Sequence, residues 1–368
     1  MVERSLIGGY MMRKRDYCLE NSIYIWRIVF TVLIMVMHFN NVYSKIYENP
    51  HITGGWYIAV EFFFIVSGYL LMVRAEANGK EESALRYTAR RFMKLYPEYL
   101  FALLFPWLLN ICSGVWGKKE AILLLMDNWE ELFMLQCIGL NRSPFMSNVT
   151  WYVSVMLIAG FIIYHCVTCY RETYVKFILP LLLVVTYSYL YRRNVDIDHW
   201  TYTDGVWLNE AVLRGLLDMN IGVTVYLFRA QVEKAQWSKL GRYIMLAGEI
   251  LSYSFVIVMS LRHKGNFDFL FLFFLAFAVL LSFMNGFFIG FLSSKFIKYL
   301  DELCYAVYLN HNLWNGWILP RFWNTDEWHL SWVILYVLFV FVYSAFTHWS
   351  VTKCVKWIKC AGQKCLIS

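Results

Sequence analysis

Residues 22–43 read SIYIWRIVFTVLIMVMHFNNVY, an apolar run interrupted by two ionisable side chains, Arg27 and His38. About 20 such residues, rising 1.5 Å each, cross the hydrocarbon core of a bilayer. The same signal recurs along the chain at 56–74, 96–113, 150–169, 174–191, 208–228, 242–262, 267–290, 299–319 and 329–352. Ten runs predict an all-α, polytopic membrane protein with about ten transmembrane helices. The composition agrees: of 368 residues, 60% are hydrophobic and 16% charged. Globular chains are about half apolar and a quarter charged, so a soluble enzyme is excluded. The chain reads as one domain over 1–368, with an N-terminal segment 1–21 and a tail 353–368.

The formal charge of +7 does not predict a nucleic-acid partner. The basic residues fall in alternate loops: Arg13–Arg15, the run from Arg74 to Lys94, Arg171, Lys176, Arg229 to Arg242, Lys295, Lys298 and the tail lysines lie on one side. Cytoplasmic loops carry that excess, so both ends are expected inside, N-in and C-in. The first apolar block is long enough to span and no small-residue cleavage site follows it, so it reads as an uncleaved helix. Cys166, Cys169, Cys304 and Cys354 lie in or beside apolar runs without metal-ligand spacing, and read as buried, reduced thiols.

Two stretches resist a simple span. Residues 119–140 place Asp127, Glu130 and Glu131 mid-run, which predicts a segment in the outer interface or re-entering beside a cavity. Loop 192–207 carries Asp196, Asp198, His199, Trp200, Tyr202 and Asp204, a composition suited to sugar contacts and equally to a solvated loop.

Charge inside a span is costly and marks candidate functional residues. Arg27 and His38, eleven positions apart, project from one helix face, separated by about 16 Å along the axis. Imidazole is the usual general base near neutral pH; a snorkelling arginine and an interfacial histidine fit the same pattern. Glu61, near the outer end of the second span, could orient His38 as the third group of a catalytic constellation. Ser67 and Gly68 suit close helix packing. Arg86, Arg90 and Lys94, at i, i+4 spacing, form a cationic face at the inner surface, able to clamp phosphates or to hold anionic lipid. Glu210, Arg214 and Asp218 share a face of the sixth span as a self-compensating ion triad. Tyr308 and His311 share a face of the ninth and could line an acceptor cavity or simply pack.

In order along the chain, these residues resemble the membrane-bound acyltransferase family 3, integral-membrane O-acyltransferases of bacterial glycans. The most specific marker is the Arg-X10-His of Arg27 and His38. An acid-Phe-Phe-X-X-Ser-Gly signature follows as Glu61, Phe63, Phe64, Ser67 and Gly68, where the family more often has aspartate. The basic stretch ending Leu-Tyr-Pro is present as Arg90, Arg91, Lys94, Tyr96 and Pro97. Trp151, Tyr152 and Ser154 look like the family's Trp-X-Leu-Ser helix start, with Met156 where some members carry glutamate. Arg214-Gly215 and the stretch from Tyr305 to His311 resemble family blocks less specifically.

The resemblance implies acetyl-CoA as donor, entering from the cytoplasm with its phosphates on Arg86, Arg90, Arg91 and Lys94, beside Tyr96, and its pantetheine passing Arg27. His38, oriented by Glu61, would deprotonate a sugar hydroxyl, directly or through an acyl-enzyme. Trp151, Tyr152, Ser154, Tyr308 and His311 would hold the acceptor, a glycan or lipid-linked saccharide. No metal is required for this chemistry. The implied location is the bacterial cytoplasmic membrane, with lipid the other partner. A polytopic glycan or lipid transporter is the alternative, although inverted repeats and interrupted helices in matching halves are not evident; a sensor or scaffold without chemistry is a third reading.

Overall fold

The computed structural model describes residues 22–47, 54–78, 81–138, 147–194, 196–198, 209–232, 237–261, 265, 267–284, 294–318 and 329–365. The described residues are helical, joined by turns. In order they are α1 (Ile23–Tyr47), α2 (Ala59–Asn78), α3 (Ala84–Cys112), α4 (Lys118–Asp127), α5 (Trp151–Cys169), α6 (Leu179–Arg193), α7 (Glu210–Val232), α8 (Lys239–Ser260), α9 (Asp268–Met284), α10 (Lys295–Leu313) and α11 (Leu330–Cys365). Each of the ten expected spans is met by a helix. Eight stretches among the described residues are long and apolar enough to cross a membrane. The two others fall short for separate reasons. Asp268–Met284 is apolar but short, and α10 begins with Lys295, Lys298, Asp301 and Glu302.

α2 and α7 form the centre of the bundle, each packing on the other and on α5 and α9. Glycine permits that closeness. A Cβ on Gly68 would lie 2.0 Å from the Met219 carbonyl oxygen, and one on Gly222 would lie 2.0 Å from that of Ile65. Both contacts are with backbone, which cannot swing aside, so the small-residue reading of Gly68 holds.

α1 and α10 are seam helices. Phe30, Ile34 and Met37 of α1 join the main core with Phe62, Ile65 and Tyr253. Met35 and Phe39, on its other side, join a smaller cluster with Val307 of α10 and Tyr336 and Val340 of α11. Side chains between those two clusters, His38 among them, therefore face the interior. Arg27 pairs with Asp301 near the starts of α1 and α10, and His38 meets His311 further along both. The two helices run in the same direction, as first and ninth spans must.

The segment expected to avoid a span does so. α4, at 10 residues, is too short to cross, and a 3-10 turn at Trp129–Phe133 follows it. Ile122, Met126, Trp129 and Phe133 point outward while Glu130 and Glu131 are buried. Glu131 accepts from the Ser147 N–H at 3.3 Å and the Thr150 hydroxyl at 3.4 Å, which ties this segment to the start of α5. α11 continues into the tail as far as Cys365. One expectation is corrected: Cys169 and Cys354 are free thiols but exposed on the bundle surface, whereas Cys304 is buried. Segment 1–21 and His199, Trp200, Tyr202 and Asp204 lie outside the described residues.

Candidate functional site

Arg27 and His38 both face α10, as their spacing requires. Arg27 donates to Asp301 at 2.9 Å, so its charge is compensated near one end of the bundle. Eleven residues on, the half-buried His38 ring lies 5.0 Å, centroid to centroid, from His311, with the planes 37° apart. His311 is fully buried.

Glu61 makes its described contacts away from His38. Its carboxylate takes Arg214 Nε at 2.5 Å, with both side chains withdrawn from solvent (1% and 0% exposed). The guanidinium also approaches Asp198 at 3.5 Å and lies 5.2 Å over the Trp151 ring. The expected triad on α7 is likewise rearranged: Glu210 accepts from Arg193 at 2.6 Å and Asn194 at 3.3 Å. Arg214 reaches across to α2 instead, because residues facing a neighbouring helix can satisfy charge there as readily as along their own. Both Asp218 carboxylate oxygens are buried without a hydrogen bond.

Aromatic side chains connect these groups. The Tyr152 ring packs against Phe64 at 4.5 Å and against Tyr308 at 5.7 Å, and its hydroxyl is 3.4 Å from Ser67 Oγ. The Tyr308 hydroxyl donates to the Val149 carbonyl at 2.5 Å while its ring lies 5.8 Å from His311. Tyr152 and Tyr308 are half-buried like His38, and ring contacts run from Tyr152 through Tyr308 and His311 to His38. Ser154 is elsewhere: fully buried, its hydroxyl accepts from the Cys137 N–H at 3.2 Å. It holds the segment before α5 and does not reach the lining.

The four basic residues of α3 separate by helical phase. Arg90 is paired with buried Glu82 at 2.9 Å, which also accepts from Arg74 at 2.9 Å, Asn78 at 3.2 Å and Tyr164 at 3.2 Å. Arg86 and Lys94 are exposed and form no ion pair with a described residue. Arg91, 100° further round the helix, turns inward to Tyr87 Oη at 3.0 Å, Ser67 Oγ at 3.4 Å and Met156 Sδ at 2.9 Å. None of those is an anion. Tyr96 stacks on Phe92 at 4.7 Å.

Several buried or half-buried carboxylates escaped the sequence reading, three of them in the following pairings. Asp301 holds Arg27. Glu98 of α3 pairs with His348 of α11. Glu249 of α8 accepts from Trp26 Nε1 at 2.7 Å and Ser282 Oγ at 3.0 Å. Each is an ionisable residue within an apolar run, the same signal that singled out Arg27.

The profile of the acyltransferase 3 family, described as an acyltransferase domain, matches residues 20–348. No curated protein and no solved structure matches the chain.

Proposed function

The chain belongs to the acyltransferase 3 family and is a multi-pass membrane acyltransferase, and from that premise we propose that it transfers acetyl from cytoplasmic acetyl-CoA to a sugar hydroxyl of a cell-surface or lipid-linked glycan. One observation carries the reading. Arg27 and His38 lie near opposite ends of one interior face, and His38 is half-buried with no hydrogen bond from any described residue. An imidazole in that state has a nitrogen lone pair available to a substrate proton.

The donor's phosphates suit Arg86, Lys94 and inward-facing Arg91, cations without a carboxylate at salt-bridge distance among the described residues. Arg90 contributes by holding the start of α3 through Glu82. The acyl group would enter along the lining formed by Tyr152, Phe63 and Tyr308. The acceptor oxygen attacks the thioester carbonyl carbon, the C–O bond forms and the C–S bond breaks. The hydroxyl proton goes to His38 and from there to the departing sulfur, leaving an ester and a free thiol. Glu61 is a structural partner of Arg214, which underlies Trp151 at the acceptor end. The basic bias of the loops supports a donor on the cytoplasmic side of a bacterial inner membrane.

Protein in nanodiscs with radiolabelled acetyl-CoA and a crude surface-glycan fraction tests this. Glycan-dependent label transfer in the wild type and its loss in folded His38→Ala are expected. Transfer by His38→Ala at a near-normal rate would sink the assignment.

A further inference from the structure

A histidine acting as base needs something to hold its ring. The carboxylate expected in that role, Glu61, bonds Arg214 through one oxygen and makes no described hydrogen bond to His38. Against His38 the structure instead puts a second imidazole, His311. Three facts about His311 bear on its purpose. It is fully buried. Among the described residues, neither of its ring nitrogens reaches full hydrogen-bond geometry. Apart from the Val307 and Tyr308 carbonyls one turn back on its own helix, its described ring contacts are with His38 and Tyr308, and the Tyr308 hydroxyl is committed to the Val149 carbonyl.

Buried polar groups are nearly always bonded; the one N–H of a neutral His311 ring can point to the Val307 and Tyr308 carbonyls, but its bare acceptor nitrogen has no donor among the described residues, and that calls for an explanation. Packing alone does not supply one, since a leucine or phenylalanine would fill the space without the cost of burying two polar atoms. We infer that His311 is the positioning residue for His38: its neutral ring accepts the N–H on the nitrogen of His38 that does not face the acceptor. This rests on the acyl-transfer reading above. When His38 takes the acceptor's proton, the resulting imidazolium has two N–H groups, one toward the departing sulfur and one toward His311. A neutral acceptor serves here where a carboxylate usually does. Contact at 5.0 Å between centroids places the rings for a small rotation to close the bond, as catalytic hydrogen bonds often tighten only with substrate bound. The seam position explains how it is held: α1 and α10 are locked by Arg27–Asp301 at one end and by packing of Met35, Phe39 and Val307 beside the rings.

The test uses the full-length protein in nanodiscs with acetyl-CoA as donor and methyl hexosides as acceptor, following thiol release. His38→Ala, His311→Ala and His311→Gln are compared with the wild type. His311→Ala is expected to lower kcat roughly 10²-fold, the low end of what a positioned proton-transfer group contributes, with KM for acetyl-CoA and the melting temperature unchanged. His311→Gln, whose amide oxygen can accept the same N–H, is expected to recover at least a tenth of the wild-type kcat. A kcat for His311→Ala within about twofold of wild type, beside an inactive His38→Ala, overturns this inference and leaves the acyl-transfer reading standing. A loss that Gln does not relieve, with a lowered melting temperature, also overturns it, since His311 would then be packing. Thiol release that does not depend on His38 in the first place removes the parent reading and this one together.

Discussion

Replacing Glu61 separates two roles that the sequence cannot tell apart. In the fold its carboxylate is bonded to Arg214 at 2.5 Å, and neither side chain is more than 1% exposed. Glu61→Ala leaves a guanidinium that cannot lose its proton inside the bundle. Breaking one partner out of such a pair costs about 3–5 kcal/mol. Asp198 stays at 3.5 Å, but its side chain is 37% exposed, so it offsets only part of the loss. The lower end, about 3 kcal/mol, is the expected destabilisation, which is roughly a hundredfold in the folding equilibrium. Glu61→Leu combined with Arg214→Met removes both charges and fills the space. That double variant is expected to regain most of the stability, because a buried pair replaced by apolar side chains of similar volume is often neutral. Thermal unfolding in detergent ranks the three proteins, and thiol release from acetyl-CoA is measured on each. The reasoning is refuted by a Glu61→Ala protein as stable as the wild type, or by a stable double variant that is catalytically dead. The second outcome would return the Glu61–Arg214 pair to the chemistry.

Gly68→Ala and Gly222→Ala each place a methyl 2.0 Å from a backbone oxygen of the facing helix and are expected to destabilise by at least about 1–3 kcal/mol. Gly160→Ala, whose nearest neighbours are side-chain atoms at 3.7 and 3.8 Å, is expected to melt within a degree or two of the wild type; equal melting of all three would contradict the close α2–α7 approach. Among the cations, Arg91→Ala is expected to raise KM for acetyl-CoA about tenfold with the melting temperature held, whereas Arg90→Ala, which releases Glu82, should lower the melting temperature. The reverse pattern in the two assays would show that the phosphate-binding assignment is wrong.

The helices were legible in the sequence because membrane spanning is a local property: about 20 apolar residues must occur together whatever surrounds them. The shared face of Arg27 and His38 was legible for a related reason, since helical phase follows from spacing along one element. The same rule applied to α3 would have separated Arg91 from Arg86, Arg90 and Lys94, and inspection of apolar runs for every acid would have marked Glu98 and Glu249. Pairing between helices is of another kind. Glu61 and Arg214 are 153 positions apart and Arg27 and Asp301 are 274 apart, and nothing in either local stretch names its partner.

Thus the sequence by itself determined the class of protein, the positions of the spans and the direction in which the two ionisable side chains of α1 point. Tertiary structure decided which charges neutralise which, that Ser154 holds a turn and lies off the lining, and that the neighbour of His38 is an imidazole. The reason is that a buried charge must be balanced by whatever lies closest in space. Closeness in space is set here by glycine-mediated packing of α2 on α7 and by the seam between α1 and α10.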